Sequence, residues 1–255
     1  MRRPDFALEI AWRRIGPEWG PQALGGIAHH LPDELLRETF RRAAGIPDRH
    51  VRARVFGALG PRADDAQLPA VLEEIEQIPD NNREQSKALI ALAPRLNEPL
   101  LRRAMGIAST IADGDSREAA IAGLLPRLAE LGQHAEAFAD ARRISRAASR
   151  ARALTGMLPH LPDPAEALEE ALEAVDAVER GRQPLLAAMI PHLLALPPHA
   201  LRQTWSARLH AFARGNRATV VEGLTPLVPV IVRLGGTAAA DQTALAIMDV
   251  WRWWP

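Results

Sequence analysis

The sequence predicts an all-α protein: an α-solenoid of about seven antiparallel helix pairs, with capping helices at both ends. Three observations carry this expectation. The 255-residue chain repeats itself every 32 or 33 residues, with a last interval of 35, and a period of that size belongs to stacked supersecondary units that bury their apolar faces on one another. Hydrophobic residues make up 47% of the chain, with Cys and Tyr absent, so the core is built from Leu, Ala, Ile and Val, of which Leu and Ala are strong helix formers. Within each copy the apolar residues recur at helical spacing.

The repeat is aligned on GGIAHHL, GALGPRA, IALAPRL, AGLLPRL, TGMLPHL, AAMIPHL and EGLTPLV, with anchors at His29, Pro61, Pro94, Pro126, Pro159, Pro191 and Pro226. Three residues before the anchor stands Gly26, Ala58, Ala91, Gly123, Gly156, Ala188 or Gly223, always small. A small residue there predicts close approach between neighbouring helices. Two before it stands Ile27, Leu59, Leu92, Leu124, Met157, Met189 or Leu224, always apolar. Nine before it, in the last six copies, stands Arg52, Gln85, Arg117, Arg150, Arg182 or Arg217.

One copy, residues 97–128, justifies the elements in order. Asn97 suits an N-cap and Pro99 a first turn, where its missing N–H costs little. Leu100, Leu101, Ala104, Ile107, Ala108 and Ile111 form one helical stripe. Asp113-Gly114-Asp115 predicts the stop, with Gly114 at positive φ. A second helix restarts at Ser116, carries Ala120, Ile121, Leu124 and Leu125, and is kinked or ended by Pro126, which lacks an N–H. Each copy thus reads as an outer helix after the anchor and a second helix leading into the next anchor. At the ends, Trp12, Trp19, Trp251, Trp253 and Trp254 hold five of the six Trp, as rings covering the terminal layers or as a docking surface. After Gly235-Gly236-Thr237 a last helix is expected from about Ala238.

Composition excludes several functions. Without Cys there is no disulfide framework, thiolate metal site or thiol nucleophile. The start is no signal peptide, and no stretch is apolar enough to span a membrane, so a cytoplasmic protein without membrane partners is expected. The chain has no metalloprotease helix motif, no dinucleotide-binding glycine pattern and no nucleophile elbow. His29-His30 with Asp33 lacks the distant partner that a metal site needs. No catalytic residue, cofactor or metal is therefore expected.

Leu68-Pro69-x-x-Leu72, Ile75, Ile78 and Asp80, followed by Ala88-Leu89-x-x-Leu92-x-Pro94, resembles HEAT-like α-solenoid repeats. The resemblance is to the short kind found in bacterial multidomain signalling proteins of the nucleotide-switch (STAND) type, and it covers about residues 20–235. It implies one right-handed solenoid domain over 1–255, with 1–19 an N-terminal cap, 20–235 the repeats and 236–255 a C-terminal capping helix. The nucleotide-switch module itself is missing, since no Gly-rich loop ends in Gly-Lys-Ser/Thr. The resemblance further implies a ladder in which the second-helix Arg pairs with an Asp of the preceding turn, as Asp48/Arg52 and Asp113/Arg117 allow, with guanidiniums bonded to loop carbonyls.

The net charge is zero, yet the charges are segregated. Outer-helix segments hold 18 acidic and 9 basic residues, and second-helix segments hold 7 acidic and 16 basic. With the second helices lining a concave side, as the resemblance implies, the groove is positive and focuses anionic ligands. Its expected binding residues are Arg54, Lys87 and Arg152, seven before the anchor, and His50, Arg83 and Arg180, eleven before it. A basic row one after the anchor holds Arg62, Arg95, Arg127, His160 and His192. The expected function is a non-enzymatic scaffold or sensor module binding an acidic protein segment. The alternative is a nucleic-acid binder like the HEAT-like DNA glycosylases, which use a positive groove with aromatics and a carboxylate. Here only Trp205 lies away from the ends, on an outer helix, and the inner carboxylates Asp115, Glu118 and Glu222 have no aromatic near them in sequence.

Overall fold

The chain is all-helical. The computed structural model describes residues 9–10, 12, 20–78, 82–178, 181–213 and 217–253, and these hold fourteen α-helices and no strand. In chain order they are α1 (Gly20–Ala28), α2 (Asp33–Ala44), α3 (Arg49–Leu59), α4 (Leu68–Glu76), α5 (Asn82–Leu92), α6 (Glu98–Thr110), α7 (Gly114–Glu130), α8 (His134–Arg143), α9 (Ala147–Met157), α10 (Ala165–Asp176), α11 (Gln183–Ala195), α12 (Pro198–Ala213), α13 (Arg217–Leu224) and α14 (Val228–Trp253). The expected outer helices are α2, α4, α6, α8, α10 and α12. The expected second helices are α1, α3, α5, α7, α9, α11 and α13. Among the described residues no helix is long and apolar enough to cross a membrane.

The helices fall into two compact units, Met1–Asp140 and Ala141–Pro255. In the first, the second helices pack in sequence, α1 on α3, α3 on α5 and α5 on α7, and the outer helices α2, α4 and α6 pack on α3, α5 and α7 of their own copies. In the other unit α9 packs on α11 and α11 on α13, with α10 against both α9 and α11. The apolar stripe read from the sequence is the core of these contacts. Leu59, Leu92, Leu124, Met157 and Met189, all two before the anchor, are fully buried, and Leu224 nearly so. Phe40 and Phe56 meet edge to face at 5.7 Å between α2 and α3, the geometry that aligns the positive ring edge with a negative face.

Local chemistry sets the helix ends. The Asn97 side chain accepts from the Leu100 N–H at 3.2 Å, with Pro99 in the first turn of α6. The stop expected at Gly114 lies elsewhere: α6 ends at Thr110, and Gly114 is the first residue of α7. Asp113 is the N-cap of α7, accepting from the Ser116 N–H at 2.8 Å. The positive φ appears instead at Gly132, between α7 and α8. There the Gln133 N–H reaches the Leu128 carbonyl and the Gly132 N–H the Ala129 carbonyl, the paired bonds that close a helix through a left-handed residue.

The anchor prolines act in two ways. Pro61, Pro94 and Pro159 lie in 3-10 turns that follow α3, α5 and α9. Pro126 and Pro191 lie inside α7 and α11, which stay helical past them, so of the two expected outcomes, a kink or an end, neither helix ends there. The break foreseen near residue 236 is present: Gly236 takes φ 73° within α14. Asp80, Arg180, Trp19 and Trp254 lie outside the described residues.

The small anchor-minus-three residue is not uniformly a packing contact. Gly26, Ala91 and Ala188 are exposed, and Gly26 has open space around it. Gly123 does sit between helices: a Cβ there would lie 2.5 Å from Ile90 Cγ1 of α5. Close approach also uses residues four before the anchor. A Cβ on Gly25 would come to 3.1 Å from the Ala58 Cβ, and one on Gly57 to 2.9 Å from the Ala88 Cβ.

Candidate binding cleft on the second-helix face

The basic residues of the second helices sort into three groups, according to what their side chains touch. The anchor-minus-nine group is tied to the loop before its own helix. Arg52 Nη1 donates to the Ile46 carbonyl at 3.1 Å, Arg117 Nη1 to Ile111 at 2.8 Å, Arg150 Nη1 to Ile144 at 3.2 Å and Arg182 Nη2 to Val178 at 2.6 Å. Gln85 makes the neutral version, donating to the Ile75 carbonyl at 3.1 Å. Each closes carbonyls left over at the end of an outer helix, groups with no partner inside that helix. The ladder to loop carbonyls is therefore present, but its carboxylate partners are not those expected. Asp48 caps α3, accepting from the His50 and Val51 N–H groups, and these bonds hold its carboxyl below the usual range. The Arg52 Nε pairs with Glu74 of α4 at 3.0 Å instead.

The residues one after the anchor are those expected to form a basic rim. Three of them are staples between successive copies. Arg62 donates to the carbonyls of Ala28, His29 and Leu31, at 3.2, 3.0 and 3.4 Å, and lies 3.4 Å from Asp33 Oδ1. Arg95 reaches the Pro61 carbonyl and Asp65 at 3.3 Å each. Arg127 Nε donates to the Leu96 carbonyl at 2.8 Å, and its Nη1 to Glu130 at 2.7 Å. Each arm spans about one period of the repeat and satisfies carbonyls at the turn after the preceding anchor, His29, Pro61 or Pro94. Their charge remains, but their donors point into protein. His160 and His192 hold the same place in the second unit and are half-buried; burial pushes the His192 imidazole below its usual value. Because a guanidinium bonded to a carbonyl is a charge-assisted donor, Arg127→Ala is expected to cost about 1.5 kcal/mol. Urea unfolding of the two proteins checks it.

The third group lies at the surface, with Lys87 exposed and Arg54 half-buried, its Nε enclosed. Arg54 and Lys87, on α3 and α5, line one cleft of about 250 Å³. Its lining is mostly small, with Gly25, Gly57, Ala58, Ala88 and Ala91, and also includes Pro61, Ile78 and Glu84. These glycines and alanines let the second helices approach closely and project no long side chain, while Ile78 and Pro61 complete the lining. Lys87 Nζ lies 2.8 Å from Glu84 Oε1 in a pair whose lysine is 55% exposed. A pair that open to water holds its lysine by less than about 1 kcal/mol, so an incoming carboxylate can share that ammonium. His50 and Arg83 are exposed on the first turns of α3 and α5, away from the cleft lining. Arg152 is exposed on α9, in the other unit.

The outer helices are joined by ion pairs that the sequence reading did not single out. Arg103 of α6 pairs with Glu76 of α4 at 3.1 Å. Arg102 grips Glu136 of α8 through two bonds at 2.5 and 2.9 Å, which hold the Glu136 carboxyl below its usual range. Arg142 of α8 bonds Glu166 at 2.6 Å and Glu170 at 2.5 Å on α10, and Arg208 of α12 pairs with Asp176 of α10. Burial pushes the Asp176 carboxyl up, against the pull of Arg208 and Arg182. A signal for these pairs was in the sequence: partners such as Arg102 and Glu136 stand about one period apart. Near the N-terminus Arg42 lies 4.7 Å over the Trp12 ring. Trp205 is half-buried on α12. Among the described residues no group of His, Asp and Glu is placed to hold a metal ion.

Comparison with protein-family models, with curated proteins and with solved structures finds no match to this chain.

Proposed function

We propose that the chain is a non-enzymatic interaction module, a right-handed α-solenoid of the HEAT-like kind. Its Arg54–Lys87 cleft takes an acidic segment of a partner protein. The observation that carries this reading is the cleft itself: two cations on adjacent helices beside a lining made mostly of Gly and Ala. A lining of mostly short side chains admits the backbone of a ligand helix or strand, and the cations supply direction and register. The sequential packing of α1, α3, α5 and α7, at one helix pair per period, supports the solenoid reading.

A nucleic-acid reading draws less from the same face. Phosphate binding rests on many freely available cations, and here Arg52, Arg117, Arg150 and Arg182 are turned to loop carbonyls, with Arg62, Arg95 and Arg127 turned to the preceding copy. A fluorescent Ala/Glu helical peptide, titrated at about 50 mM and about 500 mM salt, tests the proposal. Binding is expected at low salt, weakened at least about tenfold, or about 1.4 kcal/mol, by Arg54→Glu/Lys87→Glu. An Ala/Lys peptide should not bind. Peptide binding that ignores the double substitution sinks the cleft. Mixed-sequence DNA binding more tightly than the acidic peptide favours the other reading.

A further inference from the structure

We infer that the partner fitting this cleft includes a second copy of the chain, which docks its own acidic ridge there. The inference rests on the proposed acidic-segment reading and names an occupant for it. The ridge is on α10. Glu166, Glu169 and Glu173 are exposed and spaced three and four residues apart, so they project from one face of that helix. Arg142 takes Glu166, while Glu169 and Glu173 have no ion-pair partner among the described residues. On the other side stand Arg54 and Lys87, on helices packed side by side.

The two surfaces match in three respects. Their net charges are opposite: two exposed carboxylates meet a trough whose two cations, Arg54 and Lys87, outnumber its one carboxylate, Glu84. Their spacings are compatible, since residues one helical turn apart lie about 5–6 Å from each other, and long arms on helices about 8–10 Å apart can close on them. Their shapes are compatible, since a helix ridge meets a trough lined mostly by small residues, Gly25, Gly57, Ala58, Ala88 and Ala91, with Pro61 and Ile78. The chain has zero net charge, so two copies meet without overall repulsion while each carries both faces. The contact is heterologous: ridge to trough, with a second ridge and trough left over. Copies joined in this way form rings or open chains.

Light scattering over a concentration series, with peptide titration on the same samples, tests the inference. The wild-type chain should associate at about 50 mM salt and be monomeric at about 500 mM, where surface charges are screened within a few ångströms. Glu169→Lys/Glu173→Lys should be monomeric at both salts and still bind the Ala/Glu peptide. Lys87→Glu should lose association and peptide binding together; it is an exposed change that leaves the buried part of Arg54 intact. Mixing Glu169→Lys/Glu173→Lys with Arg54→Glu/Lys87→Glu should restore association, because ridge and trough are again opposite in sign. A wild-type chain that stays monomeric at low salt but binds the peptide overturns the self-docking and leaves the cleft reading standing. Association that survives Glu169→Lys/Glu173→Lys unchanged also overturns it. Failure of the peptide to bind at all is failure of the cleft reading.

Discussion

Leu154→Ala is expected to destabilise the protein by about 2–5 kcal/mol. Leu154 is fully buried on α9, among Ala151, Ala153, Met157 and Leu158, which are also buried. Truncation removes apolar contact and leaves a cavity. The wall of that cavity is helix on either side, since α9 packs on both α10 and α11, so it cannot collapse without moving a helix. The expected readout is a lower urea midpoint with the slope unchanged. Arg202→Ala, exposed on α12, serves as the control and should stay within about 0.5 kcal/mol of the parent.

Gly123→Leu has the second largest expected effect, about 1–3 kcal/mol or somewhat more. Even a methyl group at this position meets three side-chain atoms of Ile90, at 2.5, 3.1 and 3.2 Å. Ile90 is β-branched and stiff at χ1, so it cannot swing aside cheaply, and α5 must move away from α7. Gly26→Leu, at the equivalent place in the first copy, meets open space and should cost far less. Urea unfolding of the two variants gives the comparison. Equal costs would mean that the α5–α7 approach is not as close as described.

The periodicity made the helices legible. Spacing from anchor to anchor places an outer and a second helix in each copy, and α2 to α13 follow that alternation. The anchor-minus-two residues were legible as core for the same reason: one apolar side chain per period, always in the same place. Less legible was the difference between a structural and an available charge. Arg62, Arg95 and Arg127 look like a basic row when only their spacing is known. In the structure they donate to carbonyls of the copy before, a contact that depends on where the anchor turn leaves its acceptors. Their recurrence beside the anchor is itself the signal, because a residue locked to the period is serving something that repeats with it. Asp48 and Asp113 depart from the expected ion pairs for a related reason. A carboxylate four residues before an Arg suits an ion pair, but the first N–H groups of a helix compete for it, and in both copies the helix takes it. The fate of Gly114 follows from the same cap: with Asp113 holding the helix start, Gly114 needs no positive φ.

The cleft was half legible. Arg54 and Lys87 share a repeat position, which is why they end up side by side, while the small lining beside them depends on Gly25 and Gly57, one residue away from the position that the alignment singled out. Arg152 shares that repeat position as well, in the other unit. Its side chain is exposed, so the spacing that joins Arg54 to Lys87 extends in sequence beyond the cleft that they line.

Lys87 is the only lysine in the chain, and that gives the account its most direct test. Amine-acylating reagent modifies its ε-amino group, and mass spectrometry of the peptide containing residues 84–95 reads the extent. With saturating Ala/Glu helical peptide at low salt, acylation of Lys87 should slow at least about tenfold, because a carboxylate-paired ammonium lies buried in the complex and is held protonated. The same protection should persist in Arg127→Ala, whose lost guanidinium belongs to a staple and not to the cleft. Lys87 acylated at the same rate with and without saturating peptide would contradict the account, since the acidic segment would then be bound somewhere other than the Arg54–Lys87 cleft.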